Sequence, residues 1–561
     1  MDFIFDVQET GGSSSRAGGA SSFNQREGGA LPYAGYKPAP EQEGHTTMNL
    51  NKLLTALRQR KNTPARNLPA GRHERYTHAL EQFLDGQPAI RLGGVYTLAN
   101  LADEWLTDTS LPEQVRREEA QAIIDALTGC IRMPYPLAQK RQVLESGEAP
   151  EEYEGDFTRD QEALREEQLV RRTVFMEFSR RLAAVAGSTE KDNEDDQHAV
   201  PSVSPMWADL RFNFGGAPIF YPLQQLHFQN ADFASATFYG PADFSGATFR
   251  GDTSFSAAQF TANASFHGAN FTGETDFSDA VFSAAADFAV STFESDADFS
   301  RLNTTGIASF TAITFGGKAI FTASTFHDEA HFAASVFNRP AVFSKSLFGG
   351  AARFAGIATK QTAMFCSVHF AGTADFSGAS FTQFADFGGA RFDGDATFSR
   401  SSFFEVLRTS YDMDFPQYAN FANAAFAQGA DFSQTTFTAF VGFGRVTFAG
   451  AVSFNGANFA GAYFADAKFS QKADFRQTRF SYAEPSFWDS EGQQKSARFS
   501  AQADPQDYLF EARAESPHSF SYGEAQLLNR TFVLPLGTVL YDPDSWDEEK
   551  QDYTRISEPA Q

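Results

Sequence analysis

From Phe228 to Phe480 phenylalanine recurs at steps that alternate between five and six residues: Phe238, Phe244, Phe249, Phe255, Phe260, Phe266, Phe271, Phe277 and onward. An α-helix turns every 3.6 residues and would spread such a pattern round its whole surface, while a strand of period two would put successive rings on opposite faces. A four-sided coil holds them together. Each side supplies one central ring and one small residue two positions earlier, both pointing inward, and the residues between them point out. Two 11-residue units then close one 22-residue turn. That geometry puts Phe244, Phe266 and Phe288 in one column and Phe255, Phe277 and Phe299 in another, as the structural core. The coil-to-coil rise should be the inter-strand spacing of about 4.8 Å, so roughly eleven coils span about 50 Å. Rings in a column can lie offset and parallel, Gly and Ser suit the corners, and cooperativity should run between nearest neighbours.

The pattern has four irregularities. Thr304 and Thr359 each stand where a Phe is due, one extra residue enters between Phe403 and Phe415, and one is missing between Phe459 and Phe464. With 62 Phe against 16 Tyr and 4 Trp, the composition itself reports the repeat.

Units such as ADFSGATF (242–249) and ADFSGASF (374–381) resemble the pentapeptide-repeat family, in the variant that uses Phe where many members use Leu. The resemblance implies a right-handed quadrilateral β-helix. Upstream, ERYTHALEQFL (74–84) and AIRLGGVYTLANLA (89–102) resemble the helical segment that precedes the repeats in actinobacterial and cyanobacterial members, where it commonly follows membrane spans. The fold class expected is therefore a mixed one, a quadrilateral β-helix with an N-terminal α-helical domain.

The organisation read along the chain has five parts. Residues 1–48, rich in Gly, Ser and Ala, hold too few apolar groups to offset ordering entropy and are expected to be disordered; Met48 is an alternative start. Residues 49–190 show helical stripes: Tyr76, Leu80, Phe83 and Leu84; Leu98, Leu101 and Trp105; Val115, Ile123, Ile124, Leu127 and Ile131; and Leu164, Leu169, Phe175, Phe178 and Leu182. An acidic linker and the start of the rod follow at 191–210, the repeat rod at 211–490, and a C-terminal cap and tail at 491–561. The helical domain and the tail are expected to cover the two ends of the rod, since a bare coil leaves unpaired strand edges.

The net charge of −25 argues against direct binding to a phosphate backbone and favours solubility or a basic partner. Only Cys130 and Cys366 occur, which excludes a disulfide framework or zinc cluster. No signal-peptide pattern opens the chain, and no apolar run reaches the roughly 18 residues of a membrane span. A bacterial, cytoplasmic protein is expected, with a membrane-peripheral position as the alternative. Monomer and homodimer both stay open.

Arg91, beside Gly93 and Gly94, lacks the Lys and Gly spacing of a phosphate loop and reads as close helix packing with Arg91 pairing an acid. Asp542, Asp544, Asp547 and Glu548 do not fit a calcium loop. Ser545–Glu548 reads as a capping box that opens a short helix. No nucleophile–base spacing stands out, so no catalytic residue, metal or cofactor is expected. Two candidate contact surfaces remain. Between Asp252 and Asp298 there are eight acids and no Lys or Arg, and Asp276, Asp287 and Asp298 each precede a ring and point outward. Asp276 and Asp298 should share one side and Asp287 the opposite one. A line of carboxylates could imitate DNA phosphates, as in family members that bind type II topoisomerases; the plainer reading is that Asp caps the turn. The second surface is the irregularity after Phe403, where Tyr411 and Asp412 could contact a partner on a loop, or where the coil tolerates a one-residue slip. The expected function is a non-enzymatic scaffold or regulator that binds a protein. The alternatives are a DNA-mimicking modulator of a DNA-binding enzyme such as a type II topoisomerase, and a peripheral membrane protein.

Overall fold

The rings stack as their spacing requires. In the computed structural model, which describes residues 70–182, 206–223, 227–404, 417–488 and 495–561, Phe244 lies 4.9 Å from Phe266 and Phe266 lies 4.8 Å from Phe288, with planes 12° and 2° apart. Phe255, Phe277 and Phe299 stack likewise at 4.8 and 5.1 Å. Rings on adjacent sides meet edge to face, as Phe266 and Phe277 do at 5.3 Å and 88°. Each ring so combines two favoured aromatic geometries, and these rings have no solvent exposure. The four sides are named here by one coil: the Phe244, Phe249, Phe255 and Phe260 walls. The segments 1–48 and most of the linker, with Tyr411 and Asp412, lie outside the described residues.

Successive coils pair as parallel strands, Ala264 beside Ala286 and Asn270 beside Thr292, for example. Corners are β-turns. The Ala247 amide donates to the Phe244 carbonyl at 3.0 Å across Ser245 and Gly246, whose φ is 65°. The same left-handed position recurs every eleventh residue, and in several coils a residue with a side chain holds it: Asp279, Val290, Arg301 and Ala312.

The rod is longer than the ring count implies. The Phe260 wall holds 14 strands, from Pro218–Ile219 to Val539–Tyr541, a length of roughly 60 Å at about 4.8 Å per strand. Ile219 begins this wall before any ring does, and Leu540 ends it after the regular rings stop. The irregularity after Phe403 is also larger than a one-residue slip. Phe387 stacks on Phe421, Phe392 on Phe426 and Phe398 on Phe432, each 34 positions on instead of 22. The separation between stacked rings is therefore twelve residues longer there than in a regular coil, and the local Phe spacing conceals it because twelve is only one more than the 11-residue unit. The deletion near Phe459 is absorbed differently: the chain runs through a corner as continuous strand, Asn458–Tyr463.

The described helices are α1 (Ala70–Phe83), α2 (Pro88–Thr107), α3 (Glu113–Ile131), α4 (Arg141–Glu145) and α5 (Phe157–Leu182). Pro88 opens α2, where its missing amide hydrogen costs nothing. Gly94 lets α1 and α2 touch, since a Cβ there would sit 2.4 Å from the Phe83 amide nitrogen. On α5 the inward face runs through Leu164, Glu167, Arg171, Val174, Phe178 and Leu182. Leu169, expected on that face, points to solvent and is 52% exposed, because a residue two positions from Glu167 lies on the far side of a 3.6-residue turn.

Both ends of the rod are covered. At the first, Phe175 of α5 stacks on Phe214 at 4.7 Å and Phe178 packs on Phe212. Gln121 of α3 exchanges two 2.9 Å bonds with the Arg211 backbone. At the other, Phe499 stacks under Phe469, and Phe510 and Phe520 close beneath Phe475. An antiparallel hairpin, Tyr522–Leu527 with Arg530–Pro535, follows. The capping-box expectation fails here. Asp542 caps a 3₁₀ turn, Pro543–Ser545, and Trp546–Asp547 then pairs with Asp552–Tyr553 as strand. The cap sits three residues earlier than expected and the chain extends after one turn.

Candidate interaction face

The residue before each ring points outward, so each wall displays one such column. On the Phe255 wall it reads Asp232, Ser254, Asp276, Asp298, Ile320, Val342, Met364, Asp386. Asp276 and Asp298 are direct neighbours in the ladder. Asp287 pairs with Ser265 and Ser309 on the facing Phe244 wall, so the structure joins two of the three candidate acids and separates the third. That Phe244 column soon reaches His331 and Arg353, which bind Glu329 at 2.9 and 3.0 Å and interrupt its acidity before Asp375.

The acids are structural. Asp276 accepts the Ser278 amide at 2.8 Å, Asp298 the Ser300 amide at 2.7 Å and Asp287 the Ala289 amide at 2.9 Å, each through Oδ1. This is the Asx turn, in which a short carboxylate satisfies a backbone donor two residues on. It does not exhaust the charge. For Asp276 and Asp298 no described partner holds Oδ2, and that oxygen is left for solvent or a ligand.

Sequence reasoning missed a second column. Two positions before Asp232, Ser254, Asp276 and Asp298, at the corner of the same wall, stand Asn230, Asp252, Glu274 and Asp296. Asp252 accepts the Glu274 amide at 3.1 Å and Asp296 the Lys318 amide at 2.8 Å, one coil on. The 22-residue recurrence of Asp252, Glu274 and Asp296 was a readable signal. Together the columns border a shallow groove of about 710 Å³, lined by Asp232, Asp252, Glu274, Asp276, Asp296 and Asp298, with Arg211 its one Lys or Arg. It lies at the end of the rod that carries the helices. At the wall's other corner Arg301 makes a bidentate bond to Asp279 at 2.6–2.7 Å. That contact holds the Asp279 carboxyl below the usual range, and Asp298 and Asp276 add to the field that raises Arg301.

A different charge cluster is buried between the helices. Glu167 binds both Arg91 and Arg171, and Arg171, 2% exposed, also donates to the Ile131 carbonyl at 2.7 Å and the Met133 carbonyl at 3.0 Å. Burial pushes the Glu167 carboxyl up, and the two guanidiniums outweigh it and hold the carboxyl below its usual value. Burial raises the nearby Cys130 thiol, which keeps it protonated. These groups are saturated by one another and join α2, α3 and α5. Among the described residues no group of three or more His, Cys, Asp or Glu could hold a metal ion, and no helix is long and apolar enough to cross a membrane.

Two family models describing pentapeptide repeats match the chain, one of nine copies over residues 233–281 and one of eight copies over residues 449–484. The rod is a pentapeptide-repeat solenoid. No curated protein and no solved structure matches the chain. Between the two matched segments the Phe244 and Phe255 ring columns continue with the same stacking and the same parallel ladders, while Thr304 and Thr359 each replace one ring in the Phe260 and Phe249 columns. In this pentapeptide-repeat rod the Asp before the ring is a turn cap by construction, and the acid two positions earlier is the added feature that makes one wall a charged groove.

Proposed function

We propose that the protein is a non-catalytic modulator that presents the acidic end of its rod to the basic surface of a DNA-binding enzyme, of the type II topoisomerase kind, in place of duplex DNA. The observation that carries this reading is the groove of six carboxylates with one cation. Asp232 and Asp298 are three coils apart, about 14 Å at the inter-strand spacing. Six charges over that length are one per about 2.4 Å, close to the one per 1.7 Å that B-DNA displays. A surface of that density attracts the Lys and Arg of a DNA-binding cleft, speeds encounter and loses strength with salt. The other walls lack this density, so the reading concerns one end of one wall and not the whole rod.

The test is a supercoiling assay with purified chain and a type II topoisomerase. Inhibition at micromolar chain, relieved by Asp276→Asn with Asp298→Asn and by added salt, is expected. Asn keeps the amide-accepting oxygen of the turn, so the variant changes charge and not fold. Supercoiling that proceeds unaltered at micromolar chain would refute the proposal.

A further inference from the structure

The acidic column of the Phe255 wall does not fade into the mixed polar surface found on the other walls. It gives way at Ile320, which already lines the acidic groove, to Val342 and Met364, three apolar side chains stacked in consecutive coils. The corner column beside them loses its acids at the same level: after Asp252, Glu274 and Asp296 it runs through Lys318, beside Ile320, to Pro340, Thr362 and Phe384. These side chains are half-buried, on a wall whose strands already satisfy one another's backbone, so packing of the rod gives no reason for them. The position tolerates Asp, as Asp232, Asp276, Asp298 and Asp386 demonstrate on this wall. An Asp there would even gain a turn bond.

We infer that this wall is a docking surface for one kind of ligand: a cationic amphipathic helix of a protein partner, its basic half over the acidic groove and its apolar half over Ile320, Val342 and Met364. The inference rests on the proposed function, because the same acids recruit the partner, and goes beyond it by assigning the contact that holds the partner. Charge complementarity fixes the sign of one half of the ligand, and the apolar stripe fixes the chemistry of the other. The dimensions agree with a helix. Asp232 to Asp386 is seven coils, about 34 Å at the inter-strand spacing, which a helix of about 22 residues spans at 1.5 Å per residue. The helix pitch of 5.4 Å is near the coil rise, so side chains one turn apart meet successive coils. Duplex DNA, a uniform polyanion, matches neither half.

The probe is a synthetic fluorescein-labelled helical peptide of about 22 residues, Lys and Arg along one face of its first half and Leu and Phe along the same face of its second, a length set by the rise per residue. Binding to the full chain is read by fluorescence anisotropy. Two double variants are compared, Asp276→Asn with Asp298→Asn, and Val342→Asp with Met364→Asp. The wild-type chain should bind the peptide, and each double variant should weaken binding by about tenfold or more, which is about 1.4 kcal/mol. The second variant is decisive because it makes the wall more negative. If Val342→Asp with Met364→Asp binds the cationic peptide as well as or better than wild type, attraction is electrostatic alone and the docking inference falls, while the proposed function stands. If that variant weakens binding but the Asn pair does not, the apolar contact is upheld and the acidic groove loses its recruiting role, which counts against the proposed function. Absence of any binding by the wild-type chain overturns the inference outright.

Discussion

Replacing Leu302 by Ala and Thr304 by Phe should each destabilise the rod alone and restore it together. Thr304 and Thr359 interrupt two ring columns, and both are fully buried with no described partner for the hydroxyl. On the Phe249 and Phe260 walls the inward residue two positions before the ring is Ala or Ser throughout 236–401, except at Leu302, Ile313, Ile357 and Val368. Leu302 and Ile357 share a strand end with Thr304 and Thr359, and Ile313 and Val368 follow on the wall opposite each. The facing stacks are spread there, to 5.3 Å between Phe293 and Phe315 and 5.1 Å between Phe348 and Phe370, against 4.6 Å between Phe271 and Phe293. Each lost ring is thus replaced in volume by branched aliphatic side chains beside and across from it. Leu302→Ala alone leaves a hole between hydrogen-bonded walls that cannot collapse, at a cost of about 2–5 kcal/mol. Thr304→Phe alone inserts a ring where Leu302 already fills the space, at about 1–3 kcal/mol. The double variant recreates the small-residue-plus-ring pair of the other coils, removes a buried unsatisfied hydroxyl worth about 1–3 kcal/mol, and should lie within about 1 kcal/mol of wild type. The coupling is then at least about 2 kcal/mol, far above the ~0.5 kcal/mol scatter of independent sites. A long repeat array need not unfold in one step, so the assay is native-state hydrogen exchange at the amides bonded through this strand, Asn303, Thr305 and Thr325. Additive effects in the double variant would show that the volumes are unrelated and sink the compensation argument.

Val290, a β-branched residue 56% exposed at φ 62°, holds a left-handed corner that Gly takes in other coils. Val290→Gly should raise stability by about 1 kcal/mol net of glycine's entropy, seen as a higher melting temperature; a lower one refutes the strain. Glu167→Gln should destabilise the helical end by about 3–5 kcal/mol by leaving buried Arg171 without its counter-charge. Because the Glu167 carboxyl is held below its usual value, its contribution is present above that value and is lost as pH falls through the lowered one. Acid titration of helical circular dichroism should therefore show a wild-type loss at low pH that is absent in the variant, and identical acid profiles would contradict it. Asp276→Ala should weaken protection of the Ser278 amide by about 1 kcal/mol whereas Asp276→Asn leaves it intact; equal protection in both would remove the turn-cap role.

Short-range order was legible in the sequence because a solenoid repeats one local environment. The alternation of five- and six-residue steps allowed only a closed four-sided coil, and with it came the burial of Phe244 and Phe266, the outward placement of Asp276 and the pairing of Asp276 with Asp298. The volume exchange between Leu302 and Thr304 was written in the same rows, although single-position reading passes over it. Three matters required the tertiary structure. Ring spacing cannot distinguish a one-residue slip from a coil lengthened by twelve residues; only the stacking of Phe387 on Phe421 does. The tail strands around Phe499 and Leu540 lie outside the regular spacing: Phe499 stacks on Phe469 from 30 positions on, and Leu540 joins the same wall by backbone pairing with no ring to mark it. The acidic groove arises because residues 22 apart, and two columns of them, meet on one wall beside Arg211. The local rule, ring in and cap out, is a property of each short segment and so belongs to the sequence. The surface that a partner meets is assembled from many coils at once, and its charge and shape depend on which distant residues the folded chain sets side by side.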